Sequence, residues 1–194
     1  AQPSAAEKAI FVDEHFSKVK PPTQLRYRYE HKVAANPAAG FEDIVTVQLK
    51  PTAAGSCCAV QAQFLSGPRA LVLPDVDEAA ANPITMYFLE REVRELQQQT
   101  KGQAAHFRRR IRLALAEAGP PQPLAIRFQG RELAAREIVI APFLNDPNRA
   151  RFEQWAQRRY RFILAKDVPG HIWRIEAELP GERSDVLTLM ETAP

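Results

Sequence analysis

Residues 24–33 alternate cleanly: Leu25, Tyr27, Tyr29, His31 and Val33 share one side, and Arg26, Arg28, Glu30 and Lys32 the other. A period of two, apolar and aromatic against fully charged, predicts a strand in a sheet covered on one face and wet on the other. Residues 43–50 repeat the pattern with Val45, Val47 and Leu49 inward, after a turn at 36–40. Residues 57–65 predict a third strand, with Cys58, Val60, Ala62 and Phe64 inward, and 69–73 a short fourth. Strands joined by short loops read as an antiparallel meander.

At Asn82 the period changes. Asn82-Pro83 is a helix start, because Asn can cap free amides and Pro at the first helical position loses no hydrogen bond. Met86, Leu89, Val93 and Leu96 then form one stripe, with Ile84, Tyr87 and Phe88 off it, so the first turn is buried on more than one side. The segment QQQTKG (97–102) has no apolar residue, and Gly102 predicts a break. Ala104, Phe107, Ile111, Leu115 and Ala118 make a second stripe, ended by Gly119-Pro120-Pro121. The region 83–118 is therefore two helices or one kinked helix packed on a sheet.

Upstream, residues 4–18 predict a helix, with Ser4 as cap and Glu7 three residues on. Downstream, 124–129 and 132–140 predict a hairpin turning at Gly130-Arg131, and Asp146 caps a short helix to about Trp155. Residues 159–165 and 172–179 are strands joined by a turn of Asp, Pro and Gly, with Trp173, Ile175, Ala177 and Leu179 facing one way. Residues 185–190 add a final edge strand. The expected fold is one α+β domain over 1–194: a curved, half-barrel-like antiparallel sheet whose concave face is packed by the central helices. A doubly wound parallel sheet is not expected, because the crossovers it needs are absent.

Composition narrows the function classes. The 194 residues are 45 % hydrophobic and 25 % charged with net charge +3, ordinary for a globular domain and too mild for nucleic-acid binding. No apolar run approaches the ~20 residues of a membrane span. The opening AQPSAA is what a cut after small residues leaves, which predicts export to the periplasm, although an arbitrary boundary would read the same. Cys57 and Cys58 are neighbours on a strand, so their side chains should point to opposite faces and act as buried hydrophobes or a free thiol rather than a bridge.

The chemistry is sparse. His15, His31, His106 and His171 have no partner at metal-ligand spacing, so no metal or cofactor is expected, and His31 is expected in the core or at its rim. The five serines lie outside G-x-S-x-G, and there is no phosphate loop; the chain is not expected to be an enzyme. Asp75, Asp77 and Glu78 resemble half a calcium loop without its further ligands. The second central helix carries Arg108, Arg109 and Arg112 over one polar side and Arg110 at the opposite border of its stripe. That fan suits an anionic partner, or a solvated face offset by Glu90, Glu92 and Glu95. Tyr27, Tyr29 and Trp173 are expected either to line an apolar cavity or to belong to the core.

The element order resembles that of periplasmic lipoprotein carriers of the LolA/LolB type, in which a half-barrel with a helical lid holds acyl chains. The segments NPITMYFLEREVRELQQQTKG, HFRRRIRLALA and YRFILAKDVPG resemble a group of exported proteobacterial proteins of uncharacterised function, over most of the chain. The first resemblance is in element order and implies no contact residues. The one-sided aromatic strand 25–33 facing amphipathic helices suggests a binding or carrier module for an apolar or lipid-like anion, with Arg108, Arg109, Arg112, Tyr27, Tyr29 and Trp173 as candidate contacts. The alternative is a module that docks on envelope proteins through a sheet edge or the Arg-rich helix, with no small ligand.

Overall fold

A computed structural model of the chain describes residues 1–190. Among the described residues eight antiparallel strands form one sheet: β1 (Thr23–Val33), β2 (Phe41–Pro51), β3 (Cys57–Phe64), β4 (Gln122–Phe128), β5 (Arg131–Ile140), β6 (Arg159–Leu164), β7 (Ile172–Leu179) and β8 (Arg183–Leu189). Their order is β3-β2-β1-β8-β7-β6-β5-β4. Each hairpin meander is thus contiguous, and β8 joins the two by pairing with β1 on one side and β7 on the other. Residues 185–190 were expected at an edge; β8 is instead central, paired on both sides, with Asp185, Leu187 and Leu189 buried on the covered face.

Alternation places Leu25, Tyr27 and Tyr29 of β1 and Val45, Val47 and Leu49 of β2 inward, each at 0 % exposure. In β7 the alternation slips. Leu164 pairs with Ile172 and Ile163 with Arg174, so Trp173 is an extra residue in the ladder. Ile172 is therefore buried, and Trp173, expected on the face of Ile175, is only partly so.

The covered face is packed by α2 (Ile84–Thr100) and α3 (Ala104–Glu117). The Asn82 carboxamide oxygen accepts the Ile84 amide at 3.1 Å and caps α2. Lys101, left-handed at φ 60°, ends it, so the break falls at the polar run before Gly102. At the N-terminus α1 (Ala5–Glu7) starts with a capping box, Glu7 N–H to Ser4 Oγ at 3.1 Å and Ser4 N–H to the Glu7 carboxylate at 2.7 Å. A π-helical turn (Lys8–Val12) follows, and the helix stops there rather than at residue 18. Two bonds divert the chain: the His15 amide donates to Ala80 O at 2.9 Å, and its ring bonds Ala9 O at 2.8 Å. A last short helix, α4 (Arg149–Phe152), runs into a 3-10 turn (Glu153–Gln157).

Two further expectations are corrected. Residues 69–73 form no strand: Gly67–Arg69 is a 3-10 turn, and Leu71 makes a single bridge to Phe64. Cys57 and Cys58 are paired as a vicinal disulfide, where buried hydrophobes or a free thiol were expected. Among the described residues no helix is long and apolar enough to cross a membrane.

Candidate functional site

The space between sheet and helices is filled rather than hollow. Tyr27, Tyr29, Phe64, Phe88, Phe107 and Phe162 are buried there to within 1 %. The Tyr27 hydroxyl is held by Asn82 Nδ2 at 3.0 Å, and the Tyr29 hydroxyl accepts from Arg91 at 2.8 Å. Burial raises both phenols above their ordinary range, so neither ionises near neutrality. Both tyrosines are core residues here, not the walls of a cavity.

Within this core lies an ionic network that the sequence reading did not assign. Arg158, just before β6, is fully buried and binds Glu92 of α2 in two bonds, at 2.8 and 3.0 Å. It also reaches Asp185 of β8 at 3.2 Å, and Arg91 of α2 meets the same carboxylate at 3.2 Å. The Tyr160 hydroxyl donates to Glu92 at 3.0 Å, and His31 makes a short contact to Asp185. Two guanidinium groups thus balance two carboxylates, the arrangement a buried charge needs. Burial alone would raise the Asp185 carboxyl, but His31, Arg158 and Arg91 outweigh it and hold it near about 2. With both carboxylates engaged, the cluster clamps α2 to β8 and the start of β6. No spacing in the sequence joins residues 31, 91, 92, 158 and 185; the one local signal is Glu92, a charge placed among the apolar positions of α2.

The apolar recess lies among the helical segments instead. A groove of about 510 Å³ runs between the N-terminal turns, α2 and α3. Leu89, Val93, Ile111 and Leu115 form its floor, and Phe11, Val12 and Met86 its exposed walls, Met86 at 53 % exposure. Its cations are Arg108 and Arg112 and its carboxylates Glu7 and Glu90. Glu90 is taken by Arg108 in a bidentate pair of 2.6 and 3.2 Å, and the Glu90 carboxyl is held below its usual range mainly by that bond. Glu7 is taken by the capping box. Arg112 is exposed at the rim with no carboxylate partner among the described residues.

The six residues singled out in sequence are therefore not brought together. Arg108 and Arg112 line the groove. Arg109 is exposed and donates to Nδ1 of His106 at 3.4 Å. Tyr27 and Tyr29 lie in the core, and Trp173 sits at the β7 irregularity. Arg110, at the other border of the stripe, ties α3 to the loop before α4 through Pro142 O at 3.2 Å and Asp146 at 3.5 Å. Sequence missed Phe11, Val12 and Met86 as groove walls, because Met86 falls on the apolar stripe of α2 and was assigned to the core.

No protein-family model matches the sequence, and no curated protein matches it. Among solved structures the chain is similar to the lipoprotein LppX of Mycobacterium tuberculosis, at 12 % identity and a TM-score of 0.35, over 88 % of this chain and 86 % of that one. At that score the likeness carries no argument about what this chain binds.

Proposed function

We propose that this protein is a non-catalytic binding module for an amphipathic anion, an acyl chain ending in a carboxylate or phosphate. The apolar part lies in the groove among the N-terminal turns, α2 and α3, and the anionic end meets Arg112. One observation carries the reading: an open apolar groove of ligand size, with walls of Phe11, Val12 and Met86, beside a cation whose neighbouring carboxylates are already engaged. An exposed methionine wall suits a chain of variable shape, because its side chain is flexible and polarisable.

Displacement of a fluorescent long-chain fatty acid tests this. Saturable one-to-one binding is expected, competed by palmitate and only weakly by hexadecanol, which has the chain without the charge. Met86→Asp, at an exposed position, abolishes binding. Arg112→Gln weakens it about tenfold or more, the worth of one charge-assisted hydrogen bond. Absence of saturable binding, or unchanged binding in Met86→Asp, refutes the assignment.

A further inference from the structure

A second recess, of about 610 Å³, shares no lining residue with the groove. It forms where the segment after the N-terminal turns, the start of β1, the start of β5 and the β6–β7 turn converge. Four cations line it, Lys18, Lys20, Arg131 and Lys166, from three separate parts of the chain. One carboxylate lines it, Asp167, and Lys18 meets that at 3.6 Å. Lys20, Arg131 and Lys166 have no carboxylate partner among the described residues, so the recess carries an uncompensated positive field.

The recess is held in shape from beneath. The His15 ring is buried; its Nδ1 accepts the Asn82 amide at 2.9 Å, so its Nε2, 2.8 Å from Ala9 O, carries the proton. His171 packs on that ring with centroids 5.0 Å apart. Asn82 Nδ2 donates to Gly170 O at 3.1 Å, and the Thr23 hydroxyl pins the Lys20 carbonyl at 2.6 Å. The His171 imidazole itself has no hydrogen-bond partner among the described residues and lines the recess.

We propose that this recess binds a phosphate ester, with Lys20, Lys166 and Arg131 supplying charge and His171 an imidazole N–H. Lysines and an arginine on different segments surround an oxyanion without requiring one bond direction, which suits a phosphate group. The volume exceeds what a bare phosphate fills and lies within the ~300–1,000 Å³ of small-molecule sites. Val19, Leu133 and Val168 provide apolar wall for the organic part. A free phosphorylated metabolite and a phospholipid headgroup offer the same chemistry.

The titration of His171 reports occupancy. In the free protein burial first, and then the neighbouring His15, Lys18 and Arg136, lower its midpoint to about 4, with Asp13 opposing them. Lys166, Asp167 and Arg131 complete the charged surroundings. An anion among these cations stabilises the imidazolium, so the midpoint rises.

The experiment follows the imidazole resonances of all four histidines by NMR against pH, with and without glycerol 3-phosphate at constant ionic strength. The expected result is an upward shift of the His171 midpoint with His106 unmoved. The double variant Lys20→Gln/Lys166→Gln, both exposed residues, binds at least about tenfold more weakly, from two lost charged contacts. Sedimentation with phosphatidylglycerol vesicles, compared with phosphatidylcholine alone, separates the two sources. A shift with the free ester assigns a soluble ligand; vesicle binding that the double variant loses, without that shift, assigns a headgroup. Either supports the site. Chloride moving His171 as far as the ester does, or a double variant that binds like the parent, overturns it, as does silence in both assays. The groove variants Met86→Asp and Arg112→Gln leave the His171 shift with the free ester unchanged, so the two sites fail or stand separately.

Discussion

Replacing Glu92 by Gln keeps the shape of the side chain and removes its charge beneath α2. In the parent protein that carboxylate accepts two bonds from Arg158 and one from Tyr160, all at 2.8–3.0 Å and out of contact with water. After the substitution the fully buried Arg158 retains Asp185 as its one anionic partner, and Asp185 is shared with Arg91 and His31. A carboxamide also turns an N–H toward one of the three donors. Removing one member of a buried pair costs about 3–5 kcal/mol, mostly because the other charge stays desolvated. Against a total stability of about 5–15 kcal/mol this is a large fraction. For a domain of this size it lowers Tm by about 6–20 °C. Urea unfolding followed by circular dichroism gives the loss directly as a drop in midpoint at constant slope. The paired replacement Glu92→Leu with Arg158→Met recovers most of it, since apolar replacement of a buried pair is close to neutral. A loss under about 1 kcal/mol in Glu92→Gln, or a double variant as unstable as the single one, would falsify the description of this network as desolvated and mutually dependent.

Three further outcomes follow from the same geometry. Acid unfolding has two windows: His15 and His171 are held neutral in the fold, His15 by burial first, so the unfolded chain binds protons first and stability declines as pH falls below about 6.5. Asp185, held near about 2, contributes stability present above about 4 and lost between about 4 and 2, on the order of 2 kcal/mol; calorimetry across this range without the second decline contradicts its pairing. Gly170→Ala destabilises by about 2 kcal/mol or more in chemical denaturation, because φ is +73° and the new Cβ meets Leu25 at 2.7 Å and Asn82 at 2.9 Å. Phe88→Ala, at 0 % exposure under α2, costs about 3–5 kcal/mol, whereas Arg109→Ala on the exposed side of α3 stays within about 0.5 kcal/mol.

The local periods carried most of the secondary structure. Residues 24–33, 43–50 and 172–179 were legible because one face is covered and the other wet, which writes the period of two into the chain. The helices were legible for the same reason at a period of 3.6, with the break where 97–102 offers nothing to bury. Long-range pairing was not. Nothing in residues 185–190 distinguishes an edge strand from one between β1 and β7, since both alternate. Trp173 was misplaced because a single extra residue reverses every side chain on one side of it. The N-terminal helix was drawn too long because His15 binds partners near Ala80 and Asn82, remote in sequence. The functional surface suffered most. Met86 obeys the stripe of α2 yet stays exposed, because the groove beside it is open. Lys20, Arg131 and the β6–β7 turn that carries Lys166 and His171 meet only through the folding of three separate parts of the chain.

The central claim, that an amphipathic anion occupies the groove among the helices, has a direct probe in the chain itself. It contains two methionines, Met86 in the groove wall and Met190 at the end of the described residues. With 13C-labelled methionine methyl groups, the NMR spectrum of the protein reduces to two signals. Titration with palmitate below its aggregation limit should move the Met86 signal saturably and leave Met190 in place, and Arg112→Gln should require about tenfold more ligand for the same shift. If Met86 stays fixed, or both signals move together without saturation, the groove is not the binding site.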